Sequence, residues 1–175
     1  MNRITAYFRR LFETMMEQQV PRRLVQYTIY MFLIVVIQNM LLVHIKPLDT
    51  CAFLLPSAVV AVGMFEGAVP GAIFGLVLGI FADMGFVESN IMFTLLFPFI
   101  AFATGFISQF FINRRFFAFM LVAAAAGLLT GCFQMLRVVV TDSFSLVMLR
   151  TVILQTLWSI PVAVIAYYPP AKWID

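Results

Sequence analysis

Residues able to do chemistry are few in this chain, and they are scattered. His44 is the single histidine, and the two cysteines, Cys51 and Cys132, lie far apart within apolar runs. No nucleophile sits beside a base, no two carboxylates share a helix face, and no phosphate loop or metal-ligand spacing occurs. No catalytic residue, metal site or cofactor is therefore expected. The thiols read as buried structural cysteines rather than a disulfide. Serines and threonines within apolar runs default to bonding the backbone. A lipid-transferring enzyme would need several polar groups converging at one depth. Gln38, Asn39, His44, Asp83 and Glu88 fall near one level, but isolated polar residues close to a membrane interface are the ordinary explanation.

One pattern is regular. Glycine recurs at every fourth position, Gly63, Gly67, Gly71, Gly75 and Gly79, and the next position in the series is Asp83. In lipid, helices associate through close van der Waals contact rather than by expelling water, and glycine allows the closest approach. Steps of four advance about 400°, so the row drifts roughly 40° per step around a helix. Gly67, Gly71, Gly75, Gly79 and Asp83 thus form a slanted groove for another helix. That helix could belong to the chain itself or to a partner. Asp83 lies near the helix end, where capping of the next turn and a functional contact are both open, with Arg137 and Arg150 as candidate partners on the same side. A second small-residue patch, Ala123 to Gly131, places Gly127 and Gly131 four apart and is the natural mate for that groove.

The elements that must carry these residues follow from composition. Of 175 residues, 63% are hydrophobic and 11% charged, with a net charge of +3. Soluble domains carry about 25% charged residues, so a polytopic membrane protein is expected. The apolar runs are continuous rather than alternating, which argues against a barrel. The fold class is all-α, a membrane bundle of six spans. They cover about 24–45, 51–65, 70–83, 91–112, 116–136 and 146–168. Spans two and three are short: about 15 residues reach only ~22 Å against a ~30 Å core, so they either cross or form a re-entrant hairpin.

Residues 1–23 form a separate unit. Ile4, Tyr7, Phe8, Leu11, Phe12, Met15 and Met16 recur at three- and four-residue steps, which is an amphipathic stripe, and Pro21 then interrupts. Five arginines in this stretch suit the surface of an anionic lipid leaflet rather than a nucleic acid. No small-residue cleavage site marks it as a secretory signal. The membrane domain then covers 24–170, and 171–175 is a short tail. With both termini inside, eight basic residues are cytoplasmic against three outside, in accord with the positive-inside rule.

Taken together, these residues resemble the rod shape-determining protein MreD family, along nearly the whole chain. The resemblance rests on Gln38 late in the first span and on the turn Lys46-Pro47. Its most specific part is the glycine-spaced segment Gly71-Ala-Ile-Phe-Gly75-Leu-Val-Leu-Gly79-Ile-Phe-Ala-Asp83. The loop Gly85 to Asn90 departs from the family's Ser-Gly type turn. The resemblance implies a multi-pass protein of the bacterial inner membrane without catalytic activity. It implies a scaffold of the cell-elongation complex, with an MreC-like membrane protein, an MreB-like cytoskeleton, and a peptidoglycan glycosyltransferase and transpeptidase as partners. The competing reading is the substrate-binding S component of an energy-coupling-factor vitamin transporter. Its docking helix should show small-xxx-small spacing, whereas the first span here, LVQYTIYMFLIVVIQNMLLV, is bulky throughout.

Overall fold

The computed structural model describes residues 20–42, 44, 50–85, 91–110, 116–141 and 146–169. The amphipathic stripe of 1–19, Glu88 and the tail lie outside the described residues. Those described are helical or irregular, without a strand. Helix α1 spans Val20–Val36 and continues as a π-helix over Ile37–Leu42. Then come α2 (Leu55–Glu66), α3 (Ala68–Gly85), α4 (Met92–Phe110), α5 (Phe116–Thr141) and α6 (Leu146–Ala166). Among the described residues, two stretches are long and apolar enough to cross a membrane, Phe116–Leu136 and Met148–Ala166. The others are shorter: Leu24–Met40, Leu55–Glu66, Ala68–Met84 and Met92–Ser108.

Several boundaries differ from the sequence expectation. Pro21 lies in the first turn of α1 as described, a position that proline tolerates, and the stretch it was expected to end lies outside the described residues. The second helix starts at Leu55 rather than Cys51, because 51–54 is irregular and Pro56 sets the first turn. It is therefore shorter than expected, at 12 residues, or about 18 Å. The fifth helix runs on to Thr141.

Helix α2 is the axis of the bundle. Every residue from Leu55 to Met64 is buried, as befits a helix that is apolar on all sides. It packs against α4, α3 and α5, with α6 and α1 completing the ring. The outer helices turn bulky apolar residues outward, among them Phe32, Ile73, Phe99, Phe117 and Leu157. Polar residues turn inward: Gln38, Ser57, Ser108, Thr130, Thr156 and Ser159 are all buried. Each of these six makes a hydrogen bond to a backbone group, which removes the desolvation cost of an unpaired polar atom.

Contacts between the helix ends fix their directions. Gly67 joins α2 directly to α3 as a tight antiparallel hairpin, and Gly75 and Gly79 of α3 run past Phe97 and Phe93 of α4 in reverse order. Tyr27 near the start of α1 bonds Glu66 at the end of α2, and Tyr30 bonds the carbonyl of Ala166 at the end of α6. The start of α1 and the ends of α2 and α6 therefore share one end of the bundle. The π-helix, the start of α2 and the end of α3 belong to the other.

Candidate functional site: the glycine seam and its acid

The glycine row is filled by the chain's own helices. A Cβ added at Gly71 would lie 2.6 Å from Gly63 Cα, so α2 and α3 meet glycine on glycine. At Gly75 it would lie 2.8 Å from the Phe97 carbonyl oxygen, and at Gly79 2.6 Å from that of Phe93. The atoms met are backbone, so neither side can yield by a rotamer change. The row changes neighbour from α2 to α4 because each four-residue step turns about 40°. Gly63 on α2 and Gly105 on α4 extend the seam: their added Cβ atoms would lie 2.5 Å from Ala101 O and from Ala68 Cα. Gly67 is different in kind. It lies between the helices, with φ 108 and ψ 179, a conformation open to glycine and almost nothing else.

Asp83 ends the row by capping the neighbouring helix. Helix α4 opens on Ile91 and Met92, which bring no oxygen to the orphan N–H groups of the first turn. Asp83 Oδ1 accepts from the Phe93 amide at 3.1 Å, and Oδ2 accepts from the Thr94 amide at 2.8 Å and its hydroxyl at 2.6 Å. The carboxylate does what a capping side chain does from within a chain segment, but from the adjacent helix. Its negative charge also faces the positive end of the α4 dipole. Of the two arginines expected near it, Arg150 is exposed and the side chain of Arg137 lies outside the described residues.

Gln38 has a comparable task at the same end of the bundle. It is buried inside the bundle, and its amide grips the irregular segment before α2. Its Nε2 donates to Ala52 O at 3.1 Å and its Oε1 accepts from the Leu54 amide at 2.8 Å. Ser159 on α6 accepts the neighbouring Phe53 amide at 2.8 Å. Backbone that has left the helix inside an apolar bundle must be satisfied in this way. Asn39, one residue on, is exposed.

The small-residue patch of α5 does not mate with the glycine row. Gly131 faces Val152 of α6, with a Cβ-to-Cγ1 distance of 2.8 Å, and Gly127 has only Thr156 Cγ2, at 3.7 Å. Gly127 lines a cleft between α2, α5 and α6 with Ser57, Thr156 and Ser159. Its free volume is about 10 Å³, room for at most one water. Among the described residues, no cluster of three or more His, Cys, Asp or Glu side chains could hold a metal ion.

The Gln38 clamp and the Tyr27–Glu66 pair were not foreseen from the sequence. A glutamine in an apolar span signals a buried polar partner, yet nothing local reveals that the partner is a backbone segment 14 residues later. No protein-family model, curated protein or solved structure matches the chain.

Proposed function

We propose that the protein is a non-catalytic, multi-pass membrane scaffold of the bacterial cell-elongation complex, similar in role to the MreD family. In this reading all six helices lie in the inner membrane with both termini cytoplasmic, and α2 is a short helix enclosed by the other five. The segment that carries the resemblance also supplies the main support: Gly71, Gly75, Gly79 and Asp83 make one continuous seam that locks α2, α3 and α4 together. Such a bundle is a stiff platform. The buried Gln38, Ser57, Ser108, Thr130, Thr156 and Ser159 are engaged with its own backbone, and its outer faces are apolar, as suits lipid and the membrane helices of partners. The cleft beside Gly127 is far too small for a vitamin, which weighs against the transporter reading at that place.

The test is depletion and co-isolation in the bacterium of origin. Loss of the protein is expected to widen or round the cells, and the tagged chain to co-isolate an MreC-like protein and the elongation polymerase. Normal rods after depletion, or a stoichiometric vitamin in mass spectra of the purified chain, would reject the proposal.

A further inference from the structure

The end of the bundle where α1 begins and α2 and α6 finish has unmet acceptors. Glu66 is the last residue of α2, and an acid there opposes the helix dipole, whose C-terminal end is already negative. It is half-buried, and its carboxylate accepts one hydrogen bond, from the Tyr27 hydroxyl. An ionised carboxylate has about four acceptor positions, so most of its capacity remains. Gln26, next to Tyr27 on α1, has its Oε1 buried with no hydrogen-bond partner. It stands four residues before Tyr30 and therefore on the same face, one turn nearer this end. Tyr30 reaches the final helical carbonyl of α6 at 3.0 Å, so a second negative helix end is adjacent.

Gln26 and Glu66 have room for hydrogen-bond donors, and the acid together with the two helix C-terminal ends favours a donor that carries positive charge. Aromatic rings stand close by: Tyr27 and Tyr30 pack on Phe74 at 6.2 and 6.0 Å between centroids, and Phe65 packs on Tyr167 at 5.7 Å. Ring faces favour a cation. The flanking surface is apolar, with Leu24, Val25, Val164 and Ile165 exposed on α1 and α6. Acyl chains can lie there while a headgroup meets the acceptors.

We infer that this end binds the primary ammonium headgroup of an aminophospholipid, phosphatidylethanolamine being the type, with Glu66 and Gln26 as its acceptors. An ammonium brings three donors, whereas the choline headgroup brings none. The inference rests on the membrane embedding proposed above.

The test uses the full chain in nanodiscs of phosphatidylethanolamine and phosphatidylglycerol. It compares them with discs in which the ethanolamine lipid is replaced by its mono-, di- and trimethylated forms at constant anionic fraction. Lipid retained on release is counted by native mass spectrometry. Retention is expected to fall stepwise with methylation. For Glu66→Gln, which keeps the bond from Tyr27 but loses the charge, it should fall about tenfold, the size of one charge-assisted hydrogen bond. Gln26→Leu should fall less. Equal retention across the methylation series overturns the site, and that arm needs no variant to fold. An unchanged ethanolamine preference in Glu66→Gln, with a co-isolated protein lost instead, overturns it in favour of a partner's cationic side chain. A chain that never enters discs defeats the embedding and the site together, whereas one that enters without preference defeats the site alone.

Discussion

Asp83 belongs to α3 but completes the first turn of α4 through Thr94, whose amide and hydroxyl both bond its Oδ2, at 2.8 and 2.6 Å. The arrangement makes the helix pair interdependent, since an acid in the last turn of α3 supplies acceptors to the first turn of α4. Asp83→Asn keeps one oxygen and loses the charge, so about 1 kcal/mol of stability should go; Asp83→Ala leaves both amides uncapped and should cost about 2 kcal/mol. Thermal unfolding in detergent measures both, with Glu88→Gln as the comparison. Equal midpoints for Asp83→Asn and Glu88→Gln would show that the cap contributes nothing.

The glycines are predicted to divide into two groups. Gly79→Ala puts a Cβ 2.6 Å from a carbonyl oxygen on α4, and a backbone-to-backbone contact can relax only by separating the helices. A loss of about 1–3 kcal/mol is expected, with Gly75→Ala similar. Gly127→Ala meets its nearest atom at 3.7 Å, ordinary van der Waals distance. There the alanine should gain up to about 1 kcal/mol through helix propensity. Parallel unfolding midpoints decide it, and a Gly127→Ala variant as weak as Gly79→Ala would contradict the packing described.

How much of this was legible beforehand depends on the range of the interactions. The glycine spacing was visible and its use in helix packing followed from elementary geometry, because a four-residue period is a local property. The mate was not visible: the Ala-rich patch of α5 looked complementary, yet α4 fills the groove with Phe93 and Phe97, large residues that contribute their backbone and turn their rings elsewhere. A residue's type says little about a contact made by its carbonyl. Capping by Asp83 was one of two open readings, since the sequence places an acid before a loop without saying which helix receives it. The start of α2 at Leu55 was missed because Thr50 to Leu54 is as apolar as the helix after it, and the distant partners Gln38 and Ser159 help to make an irregular backbone tolerable there.

That tolerance gives a further prediction. Gln38→Leu preserves bulk but strands the Leu54 amide and the Ala52 carbonyl inside the bundle, at about 1–3 kcal/mol for each unpaired group. Gln38→Glu can still accept from Leu54 but, when ionised, cannot donate to Ala52. Amide hydrogen exchange at Leu54 should therefore accelerate strongly in Gln38→Leu and little in Gln38→Glu. Unchanged protection at Leu54 in both would mean that the segment is held by other means.

Gly67 tests the hairpin as a unit. Its amide bonds the Gly63 carbonyl at 3.0 Å and its carbonyl accepts from the Gly71 amide at 3.1 Å, so one residue closes α2 and opens α3. With φ 108 and ψ 179, it occupies a region that a Cβ makes costly. Gly67→Ala should lose about 1–3 kcal/mol even though the change adds only a methyl group. Because Gly71 packs on Gly63 within the same hairpin, any opening at Gly67 also separates those backbones. The Gly67→Ala, Gly71→Ala double variant should thus lose less than the sum of its parts, a coupling that distant sites do not show. Strict additivity in a double-mutant cycle would mean that the turn and the seam form independently.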